Sequence, residues 1–202
     1  MIISFSGLDG SGKTTLVKKT GEYLLKQGLK VKELHIVKNS FSYFVLHKMI
    51  GKISKKLQRN LENNLRRNDK KRLWGVVKKT LLFIYLLYFD LRYGWYKGNK
   101  KYYLVCDRYF YDELIQLKYL GIHSSFFARL YTRFILKPDL GICLNISSHT
   151  AQYRKPEFEK EYFEWKEREY KKLKFLYNIT TNSEMVFEKV VKRKLDQILG
   201  IS

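Results

Sequence analysis

Residues Gly7-Leu8-Asp9-Gly10-Ser11-Gly12-Lys13-Thr14 match G-x-x-x-x-G-K-[ST], and their flanks are the ones this pattern needs. Residues 1–6 read as a short apolar strand, and residues 15–27 read as an amphipathic helix. A strand that runs through a glycine turn into a helix lets successive backbone N–H groups converge on one point. The helix N-terminus adds partial positive charge there, so the loop is built to hold phosphate oxygens. Lys13 supplies a point charge for terminal phosphates, and the Thr14 hydroxyl suits the Mg²⁺ that bridges them.

The rest of the chain is compatible with a single α/β domain. Its 202 residues contain no Pro-, Gly- or Ser-rich linker, and 45% of them are hydrophobic. The longest apolar run, 81–89, falls short of the roughly 20 residues needed to span a bilayer. Met1 leads directly into the first strand with no signal-peptide pattern, and a cytoplasmic location is expected. Cys106 and Cys143 each fall in an apolar strand without a second Cys or a His beside them, and read as core residues rather than as a disulfide or a metal site. Lys and Arg number 40 against 19 Asp and Glu, a net charge of +21 that favours polyanionic partners: nucleotides, nucleic acid or an acidic membrane surface.

After Gly28, residues 29–37 form a second strand and complete a βαβ unit. Residues 39–96 show helical periodicity, divided near Asn60, Asn68 and Gly75 and ending in a helix over 76–96. The segment 48–72 is strongly basic and reads as a solvated helical face. The apolar stripe Phe41, Phe44, Val45, Met49 and Ile53 beside it is core packing, or else a helix lying on an acidic membrane. Arg92, following an apolar helical face, is a candidate phosphate or substrate contact, with an ion pair to Asp90 as the alternative. The strand 102–106 delivers Asp107-Arg108-Tyr109 at its carboxyl end. There an acidic residue can hold metal-bound water or orient an attacking oxygen, and the adjacent Arg can grip a second phosphate. Helices over 111–120 and 124–136 precede a strand over 139–146. Ser147 and Ser148 cap a helix carrying Arg154, and Lys155-Pro156-Glu157 breaks the chain before a charged helix over 158–177. Residues 150–160 thus form a short lid that can bring Arg154 to a transferred phosphoryl group, or a plain surface loop. A strand over 176–181 and a helix over 183–199 close the chain.

In this order the phosphate loop, Asp107-Arg108-Tyr109, Pro138-Asp139 before a strand, the lid and the closing strand and helix resemble the thymidylate kinase family over nearly the whole chain. The resemblance implies a P-loop kinase fold with five parallel strands flanked by helices, and ATP and Mg²⁺ as cofactors. It assigns Gly7, Gly10, Ser11, Gly12, Lys13, Thr14 and Thr15 to ATP, Thr14 and Asp107 to the metal, and Lys13, Asp107 and Arg154 to catalysis. Asp9, Arg92, Arg108 and Tyr109 are the candidate substrate-binding residues. The loop carries no Arg, and family members of that kind use a lid Arg instead, which gives Arg154 its role. The resemblance also implies a homodimer through the helices around 76–96; no stable nucleic-acid or membrane partner is expected, though the basic segment 48–72 leaves that open.

Departures concentrate on the acceptor side. Ile36-Val37-Lys38-Asn39-Ser40 stands where the family carries Arg-Glu-Pro. Asp112 and Ile115-Gln116-Leu117 replace its Ser and Ala-Tyr-Gln, and Asn145 replaces an Asp. The expected activity is ATP-dependent phosphorylation of a nucleoside monophosphate, dTMP first. The alternatives are another small acceptor, or a nucleotide-binding protein that docks on nucleic acid or membrane and transfers nothing.

Overall fold

Strand β1 (Ile2–Gly7) is buried at every position, as a strand covered on both faces must be, with the small Ser4 and Ser6 buried beside its apolar residues. In the computed structural model, which describes residues 1–36, 67–173, 177–180 and 187–200, β1 is the central strand of a parallel sheet. On one side lies β3 (Tyr102–Asp107) with β2 (Lys30–His35) beyond it; on the other lies β4 (Leu140–Asn145). These strands have six residues each, and the shorter β5 (Tyr177–Thr180) extends the edge beyond β4. Side-chain alternation divides the core in two. Ile2, Leu104 and Cys106 point to one face, while Ile3, Phe5, Tyr103 and Val105 point to the other.

Helix α1 (Lys13–Lys26) returns the chain from β1 to β2 and packs Leu16, Val17 and Leu24 on the second face, where α7 (Arg193–Leu199) adds Leu195. The first face is covered by α2 (Arg67–Tyr93), α3 (Phe110–Tyr119), α4 (Ser125–Phe134), α5 (Ser148–Arg154) and α6 (Lys160–Tyr170). This is an α/β sheet flanked by helices in the manner of P-loop kinases. Phe89, Phe110 and Tyr109 interlock edge to face at its centre, with ring centroids 5.0–5.9 Å apart. Ser147 caps α5 as expected, its hydroxyl accepting the Thr150 N–H at 3.1 Å. Both cysteines are free and buried.

Three expectations need correction. Gly75 does not divide the long helical segment: α2 runs through it. Gly75 is buried, and a Cβ there would come within 3.2 Å of Ile122 Cβ, so it serves close packing instead of a break. The same helix stops at Tyr93, and Gly94–Tyr96 form a 3₁₀ turn. The charged helix 158–177 is only Lys160–Tyr170, because the chain must leave it to reach β5 beside β4. The end of the second strand beyond Ile36, the apolar stripe from Phe41 to Ile53 and most of the basic segment 48–72 lie outside the described residues.

Candidate active site

All the elements of the site meet beyond the carboxyl ends of β1 and β3, where ligands bind in an open parallel sheet. Gly7 closes β1 with a φ of 135°, and a Cβ there would collide with the Leu144 carbonyl of β4, so only glycine lets the strand turn into the loop beside its neighbour. Gly12 then caps α1 in the left-handed region, and Lys13 is the first helical residue. Lys13 folds back over the loop, donating to Leu8 O at 2.6 Å and to Ser11 Oγ at 3.3 Å, and is only 6% exposed. Burial, seconded by the charge of Arg108, pulls its pKa down to about 8 against the opposing pull of Asp9, Asp112 and Asp107.

Register places Asp107 beside Phe5. Its carboxylate accepts the Thr14 hydroxyl at 2.6 Å, which joins the end of β3 to the start of α1. Arg108 adopts a left-handed φ of 66°, uncommon for a residue with a side chain, while its N–H donates to Phe5 O at 2.9 Å. This backbone turn sends the guanidinium toward the loop. It pairs with Asp9 and approaches Asp112 Oδ1 at 3.9 Å. Burial opposes its charge, but Asp112 and Asp9 outweigh that and hold it protonated. Asp9 is tied on both oxygens, since Oδ2 also accepts the Tyr162 hydroxyl at 3.1 Å and lies 3.7 Å from Lys166 Nζ. Burial alone would raise the Asp9 carboxyl, but Arg108, Lys13 and Lys166 hold it below its ordinary value.

Arg154 ends α5 and donates to Gly10 O at 2.9 Å, so the end of α5 lies against the loop. A cavity of about 540 Å³ opens among these groups, lined by Lys13, Thr14, Thr15, Asp107, Arg108 and Arg154, with Asp9 and the loop glycines Gly10 and Gly12. His35 at the end of β2 and Lys155 also line it, though neither stands out in the sequence. The Thr14 hydroxyl and the Asp107 carboxylate give it a pair of hard oxygen donors. This fits Mg²⁺, which keeps several waters and takes only one or two protein ligands beside substrate phosphates. Among the described residues no group of three or more His, Cys, Asp and Glu could hold a metal by itself.

Two of the expected substrate-binding residues are placed elsewhere. Tyr109 is fully buried and its hydroxyl donates to Leu136 O; the extended backbone that starts α3 turns the ring into the aromatic core, away from the cavity. Arg92 is exposed, with its guanidinium over the Tyr93 ring at 5.8 Å, and does not line the cavity. Ser11 is buried, and its hydroxyl serves Lys13.

The sequence reading also missed a layer of support beneath the site. Asp112 is 3% exposed and accepts Ser6 Oγ, Tyr109 N–H and Tyr170 OH at 2.6–2.8 Å. Tyr162, Lys166 and Tyr170 line one buried face of α6. Their spacing of four residues was the available signal, hidden by the Glu and Lys residues between them.

The chain is 28% identical over 162 residues to a thymidylate kinase of Mycoplasmopsis agalactiae, a match covering 77% of this chain and 68% of that protein. It is 29% identical over 150 residues to a probable thymidylate kinase of Sulfurisphaera tokodaii, covering 74% of this chain and 65% of that one. No protein-family model matches it. The chain is therefore distantly similar to thymidylate kinases over about three quarters of its length.

Proposed function

We propose that the protein is a nucleotide kinase that moves the terminal phosphoryl group of ATP to a nucleoside monophosphate, with dTMP as the foremost acceptor. The observation that carries this reading is the convergence of Lys13, Thr14, Asp107, Arg108 and Arg154 on one cavity at the phosphate loop. The distant likeness to two thymidylate kinases supports dTMP over other acceptors.

In this reading the backbone N–H groups of the loop and Lys13 hold the donor phosphates, Lys13 exchanging Leu8 O for a phosphate oxygen. Thr14 and Asp107 would hold Mg²⁺, which neutralises charge on the donor phosphates when bound. Arg108 binds the acceptor phosphate. Arg154, already on the loop at Gly10, meets the charge that develops on the transferred group. An acceptor phosphate oxygen forms its bond to the γ-phosphorus as the bond to the β,γ-bridging oxygen breaks, and ADP leaves. Little more is asked of the protein than position and charge. The same reading includes a homodimer, since Ile84, Leu87, Tyr88 and Leu91 leave an exposed apolar stripe on α2. It also includes a cytoplasmic location, for which the supporting fact is that no helix among the described residues is long and apolar enough to cross a membrane.

The test is ADP release from ATP and Mg²⁺ with dTMP, dUMP, other monophosphates, thymidine and no acceptor. Stimulation should be greatest with dTMP and should fall by at least about 100-fold in Lys13→Met. A response to another acceptor alone would reassign the substrate. Acceptor-independent turnover, or normal turnover by Lys13→Met, would overturn the mechanism.

A further inference from the structure

The acceptor side of the cavity has a charge problem that α6 resolves. Arg108 is the cation aimed there, yet its guanidinium already pairs with Asp9 and faces Asp112 at 3.9 Å. Both carboxylates are confined. Asp112 is 3% exposed and Asp9 is anchored on both oxygens, so neither can turn away to leave Arg108 for a ligand. Counted together, one guanidinium and two carboxylates carry a net negative charge; Lys13 also acts on Asp9, but its ammonium is turned to the Leu8 carbonyl at the phosphate loop, so a phosphate dianion beside Arg108 still meets an excess of carboxylate. Lys166 supplies a further cation at Asp9. It is only 3% exposed, its ammonium donates to Tyr162 OH at 2.6 Å, and it sits 3.7 Å from Asp9 Oδ2, the oxygen that Arg108 does not hold. Burial pushes the nearby Glu113 carboxyl up and the Lys166 ammonium down, the latter against the pull of Asp9.

We propose that Lys166 is a specificity-determining residue that makes the acceptor subsite accept a phosphate monoester in preference to an unphosphorylated acceptor. It touches no ligand and acts as a positioning residue through Asp9. By neutralising that carboxylate together with Tyr162, it leaves the positive charge of Arg108 for the incoming phosphate. The ordinary role of a buried Lys, covering apolar surface with its stem, would not place the ammonium within ion-pair reach of a loop carboxylate at the cavity edge. The inference rests on the nucleotide-kinase reading for the identity of the acceptor, but its test does not require turnover.

Calorimetric titration of dTMP and of thymidine into the full chain and into Lys166→Met, beside thermal unfolding of both and assay of diphosphate formation, separates the possibilities. Lys166→Met should weaken dTMP binding ten-fold or more while thymidine binding changes less than two-fold. Tyr162→Phe, which keeps the ammonium, should lose much less for dTMP. Equal losses for dTMP and thymidine would mean that Lys166 serves the fold alone and would overturn the inference, as would unchanged dTMP binding. If the wild-type chain bound no monophosphate, the inference would fall. If it bound dTMP with the expected discrimination yet formed no diphosphate, the kinase reading would fall and the role of Lys166 would stand.

Discussion

In the proposed kinase, Lys13 should couple nucleotide binding to pH. Burial pulls its pKa down to about 8, whereas donor phosphates would replace the Leu8 carbonyl as its partner and favour the charged form. A ligand that prefers the protonated site loses affinity as that site deprotonates, so ATP should bind more weakly as pH rises through about 8. Each further pH unit costs about ten-fold, or about 1.4 kcal/mol, until the pKa of the occupied site is reached. From pH 7 to pH 10 the affinity should therefore fall by roughly 100-fold, and binding near pH 9 should take up close to one proton per site. Calorimetry in two buffers of different ionisation heat reads the proton directly, and the apparent Kd at half-unit intervals reads the slope. Lys13→Met should bind ATP weakly and with a much flatter profile. A flat wild-type profile between pH 7.5 and 9.5, or the same slope in Lys13→Met, would refute the assignment of Lys13 as the buried cation that meets the phosphates.

Other perturbations test the frame around the loop. Gly7→Ala places a methyl against the Leu144 carbonyl at a φ of 135° and should destabilise the fold by about 3 kcal/mol or more in denaturant unfolding; a loss under about 1 kcal/mol would show that β1 and β4 can separate. Asp90 is raised to about 6 chiefly by burial, against the opposing Leu136 N–H, and its Oδ1 has no hydrogen-bond partner. The folded state thus holds a proton that the unfolded chain releases near pH 4, and stability falls as pH rises from about 4 through 6. Asp90→Asn should stabilise by about 1 kcal/mol at pH 7.5, a figure discounted for partial exposure, and by far less at pH 4. Tyr109→Phe, which strands the Leu136 carbonyl, should cost about 1 kcal/mol of stability and leave the KM values for ATP and acceptor unchanged; a raised acceptor KM would return Tyr109 to the site.

Sequence patterns carried the donor side of the site further than the acceptor side. Residues 7–14 specify backbone geometry through glycine and chemistry through Lys13 and Thr14, so strand, turn and helix follow from one local pattern. Asp107 was legible because it ends an apolar strand, and parallel pairing with β1 brings it to the Thr14 hydroxyl. Nothing local told that Arg108 would take a left-handed backbone and Tyr109 an extended one, which sends the first to the cavity and the second to the core. Gly75 reads as punctuation in sequence, but α2 runs through it and Ile122 presses where a Cβ would stand. The Tyr162, Lys166 and Tyr170 face was obscured for the opposite reason. A lysine amid Glu and Lys looks solvated until tertiary contacts bury it beside Asp9. Arg92 shows the converse, since following an apolar helix face does not place a side chain in a pocket.

The measurement that bears most directly on the proposed activity is ³¹P NMR of a mixture of ATP, Mg²⁺ and dTMP with purified protein, followed in time. The expected result is loss of the γ-phosphorus signal of ATP with matching growth of dTDP and ADP and no release of inorganic phosphate, abolished in Lys13→Met. Persistence of ATP and dTMP with folded protein would contradict a thymidylate kinase. Growth of inorganic phosphate in place of dTDP would contradict phosphoryl transfer to the acceptor.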